Sequence, residues 1–409
     1  MSHTAAARPA PTTTDPVPPG ITRAMTLLLA AATGAVAANM YYAQPLLAVI
    51  ARSLGTSTQA AGVIVTVTQL GFAAGLVLVL PLADIVRRRS LLTVLLVLDA
   101  AALAAVGVAP GLAVALVAFA VLGLANVAAQ VLVPVAAHLA DDAQRGRTVA
   151  TVISGLLTGM LLARTVAGVV TELVGWRPLF LGAAVLMILV NLVLRRALHG
   201  VDAVPHRRVG YRAVLRSTVR IYRTEPAVRI RSTYGALGFA AFSVFWSTAA
   251  LQLSRAPFTY SPAVIGLFGL LGAVGAMAAN LTGRVRRHTH PMPTATAVAL
   301  IAVAYAVLLF AGQSLGGVIA GVLVLDIGVQ GLHVLNQRVI YDVDAAARNR
   351  VNSIYMTFYF AGGALGSAVA SFMWSRAGWT GVCLTGLAVT ALAALLWART
   401  SAARARREP

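Results

Sequence analysis

Asp326, Gln330, His333 and Gln337 recur at i, i+4, i+7 and i+11, so a helix over this stretch carries all four side chains on one face. A carboxylate and an imidazole in such a stripe can take up and release protons near neutral pH, and the amides supply fixed hydrogen bonds. The run around them, Leu325-Asp326-Ile327-Gly328-Val329-Gln330-Gly331-Leu332-His333, is otherwise apolar. Hydrocarbon does not tolerate a polar stripe, so the face must meet protein or water. A neutral Asp326 hydrogen-bonded to a neighbouring helix would serve packing alone. Two further ionisable groups lie inside apolar runs. Arg164, in Leu161-Leu162-Ala163-Arg164-Thr165, needs a buried acidic or carbonyl partner. It is a candidate to hold Asp326 or an anionic group of a substrate, or to form a fixed structural ion pair. Asp99, in Leu96-Val97-Leu98-Asp99-Ala100, suits either proton carriage or the bridging of two helices.

A second set of residues suits the binding of a solute. Asn126 and Gln130 share a face at i, i+4, and Asn39, Tyr42 and Gln44 cluster in the first apolar run. Gln330 and Asn336 join them from the Asp326 run, Trp246 from the seventh run, and Tyr355 and Tyr359 from the eleventh. A cavity lined by these ten would take a neutral or weakly charged polar–aromatic compound, a class that includes sugars, nucleosides and many drugs. Aromatic residues at helical spacing also serve packing, and Trp and Tyr populate membrane interfaces.

Several chemistries are excluded. The chain has no lysine, so it holds no Gly-x-x-x-x-Gly-Lys-Ser/Thr phosphate loop. It has no paired Asp-rich metal motif and no Ser/His/Asp grouping, and its lone Cys383 rules out a disulfide framework or a multi-cysteine metal site. No catalytic residue, metal or cofactor is therefore expected, and the chain is not read as an enzyme. Energy must come from a gradient, with the proton gradient favoured because Asp326 and His333 titrate and could share a proton.

The elements that position these residues are long apolar runs near 24–47, 60–83, 91–109, 112–138, 149–173, 178–198, 233–253, 262–283, 292–311, 316–340, 351–374 and 379–398. Each approaches the roughly 20 residues a helix needs to cross a bilayer core of about 30 Å. The chain is 59% hydrophobic and 11% charged, which leaves too little polar surface for a soluble globule. All 32 basic residues are arginine. Four (Arg52, Arg177, Arg255 and Arg376) fall in one set of alternate gaps, and Arg164 falls inside a run. The remaining 27 occupy the termini, the other set of gaps and, for Arg195, Arg196 and Arg338, the run ends that border those gaps. By the positive-inside rule that set is cytoplasmic. The sequence thus predicts an all-α membrane protein with twelve transmembrane helices and both termini in the cytoplasm of a cell with an inner or plasma membrane. The net charge of +20 then points to anionic lipid on the cytoplasmic face rather than to nucleic acid.

The runs divide into two pseudo-symmetric six-helix bundles, residues 21–198 and 232–398. Residues 1–20 read as a disordered cytoplasmic tail, 199–231 as a basic cytoplasmic linker and 399–409 as a second tail. In the linker Arg212, Arg216, Arg220 and Arg223 lie on one helical face, and Tyr211, Val214, Leu215, Thr218 and Tyr222 on another. That pattern suits an amphipathic helix on the inner leaflet, or a solvated linker. Arg145-Gly146-Arg147, Gly159 and Gly175-Trp176 recur as Arg348-Asn349-Arg350, Gly362 and Gly378-Trp379 at a constant offset of 203 residues. A fixed offset across a span and its flanks implies duplicated halves. It also pairs Gln130 with His333, which predicts two polar patches facing each other across a cavity.

The chain resembles the major facilitator superfamily from residue 21 onward, in its six spans, basic central loop and six more spans. Pro81-Leu82-Ala83-Asp84-Ile85-Val86-Arg87-Arg88-Arg89 is similar to the family's Gly-x-x-x-Asp-Arg-x-Gly-Arg-Arg loop. It keeps Asp84, Arg88 and Arg89, and departs at Leu80, Ile85 and Arg87. The corresponding Gly283-Arg284-Val285-Arg286-Arg287 has no acid. The resemblance implies a conformational lock at Asp84, Arg88 and Arg89. Asn39-Met40-Tyr41-Tyr42-Ala43-Gln44-Pro45-Leu46-Leu47 resembles the bacterial sugar, drug and metabolite efflux branch. Of the antiporter signature in the fifth span, Gly155 and Gly159 are present, but Met160 stands where proline follows in the family. The resemblance implies a monomeric secondary transporter working by alternating access, exporting a small organic compound in exchange for protons. An importer, and outside transport a membrane-embedded transferase or a receptor, are the alternatives.

Overall fold

Apolar runs bounded by capping residues become helices. In the computed structural model, which describes residues 21–199, 210–272, 291–343 and 348–405, Thr22, Ser57 and Ser314 cap the first, second and tenth spans through side-chain oxygens that accept a first-turn N–H. Among the described residues, ten helices are long and apolar enough to cross a membrane. The last of them, Arg350–Ala402, is two spans joined where the backbone leaves helical geometry at Gly378. The predicted eighth span is described from Pro262–Leu267 through the 3-10 turn Phe268–Leu270 to residue 272. Its remainder, the loop holding Gly283 to Arg287 and the tail 1–20 lie outside the described residues. No strand occurs among the described residues. The protein is an all-α membrane protein, as its composition predicts.

The duplicated halves are visible in local geometry. Gly175 and Gly378 both adopt positive φ, 94° and 57°, a region open to glycine at little cost. Each lets the chain reverse within a residue or two between two spans. Gly159 packs against the backbone of Gly34 on the first span, and Gly362 packs likewise against Ala236 on the seventh. At both places a Cβ would strike a carbonyl oxygen, so the small residue permits the close helix approach that membrane interfaces favour.

The first, fourth and seventh spans are broken where polar residues sit, the fourth between Leu112–Ala125 and Ala128–Leu139. The first runs Arg23–Asn39, turns, passes through the 3-10 segment Gln44–Leu46 and resumes as Leu47–Ser53. The seventh runs Pro226–Trp246 and resumes as Ala249–Leu253. Because that span starts at Pro226, Arg231 lies inside it and is buried. Arg164, which the sequence alone sets apart as an arginine within a run, thus shares its burial with Arg231.

The halves meet tightly at the arginine-poor end. Thr165 donates to the Gly266 carbonyl at 3.0 Å, and the Ala263 N–H donates to a Glu172 carboxylate oxygen at 3.2 Å. Nearer mid-span, Phe72 and Phe360 approach with ring centroids 4.4 Å apart. At the arginine-rich end the halves part around a cavity of about 950 Å³. The linker helix Tyr211–Thr224 crosses this end. Tyr211 donates to the Leu78 carbonyl at 2.9 Å, Tyr222 stacks on Phe358 at 4.8 Å, and Arg350 donates to Ser217 at 3.0 Å. It is thus not solvated all round. Its apolar face helps to wall the cavity, and Arg212, Arg216, Arg220 and Arg223 point away, exposed.

Candidate functional site

The breaks in the first and seventh spans bring Gln44 and Trp246 to the seam between the halves, where the fifth and tenth spans present Arg164 and Asp326. Arg164 is 5% exposed and donates through Nε to Gln44 Oε1 at 2.8 Å. Its guanidinium lies over the rings of Trp246 (4.3 Å), Tyr41 (5.0 Å) and Phe242 (6.0 Å). Cation–π contacts of this kind, desolvated, are each worth about 2 kcal/mol, so the site holds the cation without a carboxylate in contact. Trp246 Nε1 donates in turn to Asp326 Oδ1 at 3.4 Å. The indole therefore stands between the buried cation and the buried acid. The direct pair that sequence reasoning offered is replaced by a relay, with one ring contacting Arg164 and its N–H holding Asp326.

The relay is only part-satisfied. Arg164 Nη2 and Asp326 Oδ2 are buried and have no hydrogen-bond partner. Beside Gln44, Arg164, Trp246 and Phe268 there is a gap of about 10 Å³, room for about one water molecule and no organic solute. In this conformation the site is a closed constriction. Gly269 and Gly272 of the eighth span face Arg164 and Asp326, where a Cβ would stand 2.8 Å and 3.2 Å from their side chains.

His333 lies elsewhere on the tenth span. Its Nδ1 is 2.9 Å from the Tyr355 hydroxyl, and Tyr359 lies 4.8 Å away, ring to ring. Seven residues of helix put it about 10 Å along the axis from Asp326, so the two do not share a proton directly. Asn336 accepts from Arg231 at 3.4 Å, and Arg231 also donates to Thr294 at 3.0 Å. Gln330 and Gln337 are half-buried.

A separate cluster occupies the first half. Asp99, fully buried, accepts from Asn39 Nδ2 at 2.6 Å, and Asn126 is its other amide neighbour. Asn126 also donates to the Val36 carbonyl at 2.6 Å, across the break in the fourth span. Tyr42 packs edge-on against Phe180. Asn39, Tyr42 and Asn126 are thus turned into their own bundle. Of the ten residues assigned to a substrate cavity from sequence, Gln130 lines the open cavity here. Asn39, Tyr42, Gln44, Asn126, Trp246, Asn336, Tyr355 and Tyr359 are buried.

In the loop after the second span, Arg89 donates to the Arg195 carbonyl at the end of the sixth span at 2.9 Å, and Arg88 reaches the Ala83 carbonyl at 3.5 Å. Arg89 so caps a neighbouring helix end within its own half. The Asp84 side chain lies outside the described residues. Tyr41, which touches Arg164, and the pair Gln69–Ser243, joined across the seam at 3.2 Å, are not marked by residue spacing. Tyr41 sits in the break of the first span, where helical periodicity gives no guide. Its signal was its place between Asn39 and Gln44.

The comparisons with known proteins agree with this architecture. The profile of the Major Facilitator Superfamily matches residues 29–342. The chain is 42% identical over 377 residues to a protein named putative uncharacterized transporter YgaY of Escherichia coli (strain K12), covering 92% of this chain and 95% of that protein. It is 33% identical over 370 residues to a protein named probable transporter SCO4007 of Streptomyces coelicolor, covering 87% and 83%. Among solved structures it is similar to the peptide transporter POT in complex with alafosfalin (16% identity, TM-score 0.71, 91% and 94% covered). It is also similar to a bacterial homologue of the human lysosomal transporter Spinster, inward-facing and unoccupied (14% identity, TM-score 0.71, 92% and 97% covered). The chain belongs to the major facilitator superfamily.

Proposed function

We propose that this superfamily member is a proton-coupled exporter of a small organic compound, working by alternating access in the inner or plasma membrane as a monomer. Both termini and the open cavity lie on the cytoplasmic side in this reading, because the arginine-rich end is the one the positive-inside rule assigns there. Anionic lipid of that leaflet is the matching surface.

One observation carries the reading: the relay Arg164–Trp246–Asp326 spans the seam, with its cation on one half and its acid on the other. A proton on Asp326 cancels its charge and with it the attraction towards Arg164; its loss restores that attraction. Opening the arginine-poor end must pull the two halves of the relay apart. The protonation state of Asp326 therefore biases which end is open, and a ligand that prefers one end shifts the same equilibrium. Substrate enters the large cavity at the arginine-rich end while the relay is closed, and leaves after the relay has parted.

The test is purified protein in proteoliposomes with a pH-sensitive dye inside, screened against small organic compounds. Substrate-dependent proton flux of the exchange sign supports the reading. Flux in the same direction as substrate makes the protein a symporter, and substrate flux without protons makes it a uniporter. A tag at residues 255–260 reached from the cytoplasm would reverse the orientation.

A further inference from the structure

The open cavity differs from the one its polar residues suggested. Its walls are mainly Leu, Val, Ile and Pro side chains, with Phe358 and Tyr222 among its aromatic ones. The linker helix contributes apolar wall through Leu215 and Val219. Among the described lining residues, three half-buried arginines, Arg88, Arg338 and Arg350, and one exposed acid, Asp342, stand against this surface. About 950 Å³ lies at the upper end of the range for small-molecule sites.

We infer that this cavity takes an amphipathic organic anion: an apolar, aromatic-sized body carrying one carboxylate or sulfonate. The apolar body is rewarded by leaving water, and the acid group meets the arginine side of the cavity in charge-assisted hydrogen bonds. The arginine held at the wall, Arg350, opposes a cationic amphiphile of the same shape. Arg350 is the foremost contact, because Ser217 of the linker helix holds its guanidinium at 3.0 Å and so orders it at the cavity wall. Naming this class rests on the transport reading above, but the binding it implies needs neither a gradient nor turnover.

The experiment is equilibrium binding to the full-length protein in phosphatidylcholine nanodiscs, measured against empty discs. Three fluorescent probes share one body: anthracene-9-carboxylate, 9-anthracenemethanol and 9-aminomethylanthracene. The carboxylate is expected to bind about tenfold more tightly than the alcohol, as one charge-assisted hydrogen bond allows, and the ammonium to bind weakest. Arg350→Gln should remove most of the difference between carboxylate and alcohol, and Ser353→Trp should weaken all three by filling the space. Equal affinities for the three probes in the unaltered protein, or tightest binding of the ammonium, overturn the proposal whatever the variants do. Competition by phosphatidylglycerol added to the discs also overturns it, because the arginines then serve lipid headgroups. Loss of proton coupling with this binding order intact would instead overturn the transport reading and leave the site standing.

Discussion

Asp99 and Asp326 are both buried acids in apolar helices, but their surroundings differ. Asp99 is held by Asn39 and Asn126, all within the first bundle. Asp326 is held by Trp246 from its own half and faces a relay whose other end, Arg164 with Gln44, belongs to the opposite half. A group enclosed in one rigid body feels the same neighbours whichever end of the transporter is open. A group on the seam gains and loses a neighbour at every cycle. In the proposed mechanism, position relative to the seam, more than burial, separates a coupling residue from a packing residue.

The largest effect that would sharpen the contrast is at Asp326. Asp326→Asn should abolish pH-driven accumulation while retaining substrate exchange, since the amide mimics the protonated acid. Asp99→Asn should keep coupled transport within about twofold and act on stability instead, because the cost of rearranging a buried hydrogen bond is about 1–3 kcal/mol. Coupled transport by Asp326→Asn, or its loss in a well-folded Asp99→Asn, would invert the comparison.

Arg164 comes next. Arg164→Ala removes the Gln44 bond and the contacts with three aromatic rings, and should lower transport by more than about tenfold. Arg164→Lys keeps charge but not the planar fork, so it should fall between the two. Equal loss in the Ala and Lys variants would mean that the guanidinium's fork geometry, and not charge alone, is needed.

Trp246→Phe should have a smaller effect. Phe retains a face for the guanidinium and loses the Nε1 donor to Asp326, so a drop of about five- to tenfold is expected from the loss of one hydrogen bond. If the drop matches that of Asp326→Asn, the indole N–H does more than hold the acid. The smallest effect concerns the matched helix crossings: Gly159→Val and Gly362→Val should each destabilise the protein by about 1–3 kcal/mol through overpacking, seen as lowered thermal midpoints in detergent. A large difference between them would show that the two crossings, though equivalent by offset, are not equivalent in packing.

The fold was largely legible because membrane helices obey a length rule and a charge rule, and because Gly159, Gly362, Gly175 and Gly378 mark one duplication. The site was legible in its members and less so in its connections. Arg164 and Asp326 stand out as charges in apolar runs, but Trp246 between them does not, since an aromatic in a membrane helix reads as packing. Asn39 and Asn126 share a helical face with residues of the expected cavity, yet they turn to Asp99. Periodicity assigns a face, while the neighbouring helices decide what that face meets. Tyr41 and Gln44 sit in a broken span where periodicity fails altogether. The linker helix shows the same limit: its two faces were clear, but the surface its apolar face would cover was not written in the linker.

The central claim, that protonation at Asp326 sets which end of the transporter is open, is tested most directly by distance. Spin labels placed at the exposed positions Leu173 and Val264, one in each half at the arginine-poor end, report that gap in a Cys383→Ser background. Electron–electron resonance across a pH series should show two distance populations whose ratio changes with pH in the parent protein. With Asp326→Asn added, the ratio should be fixed. A pH-dependent ratio that survives Asp326→Asn unchanged would contradict the account.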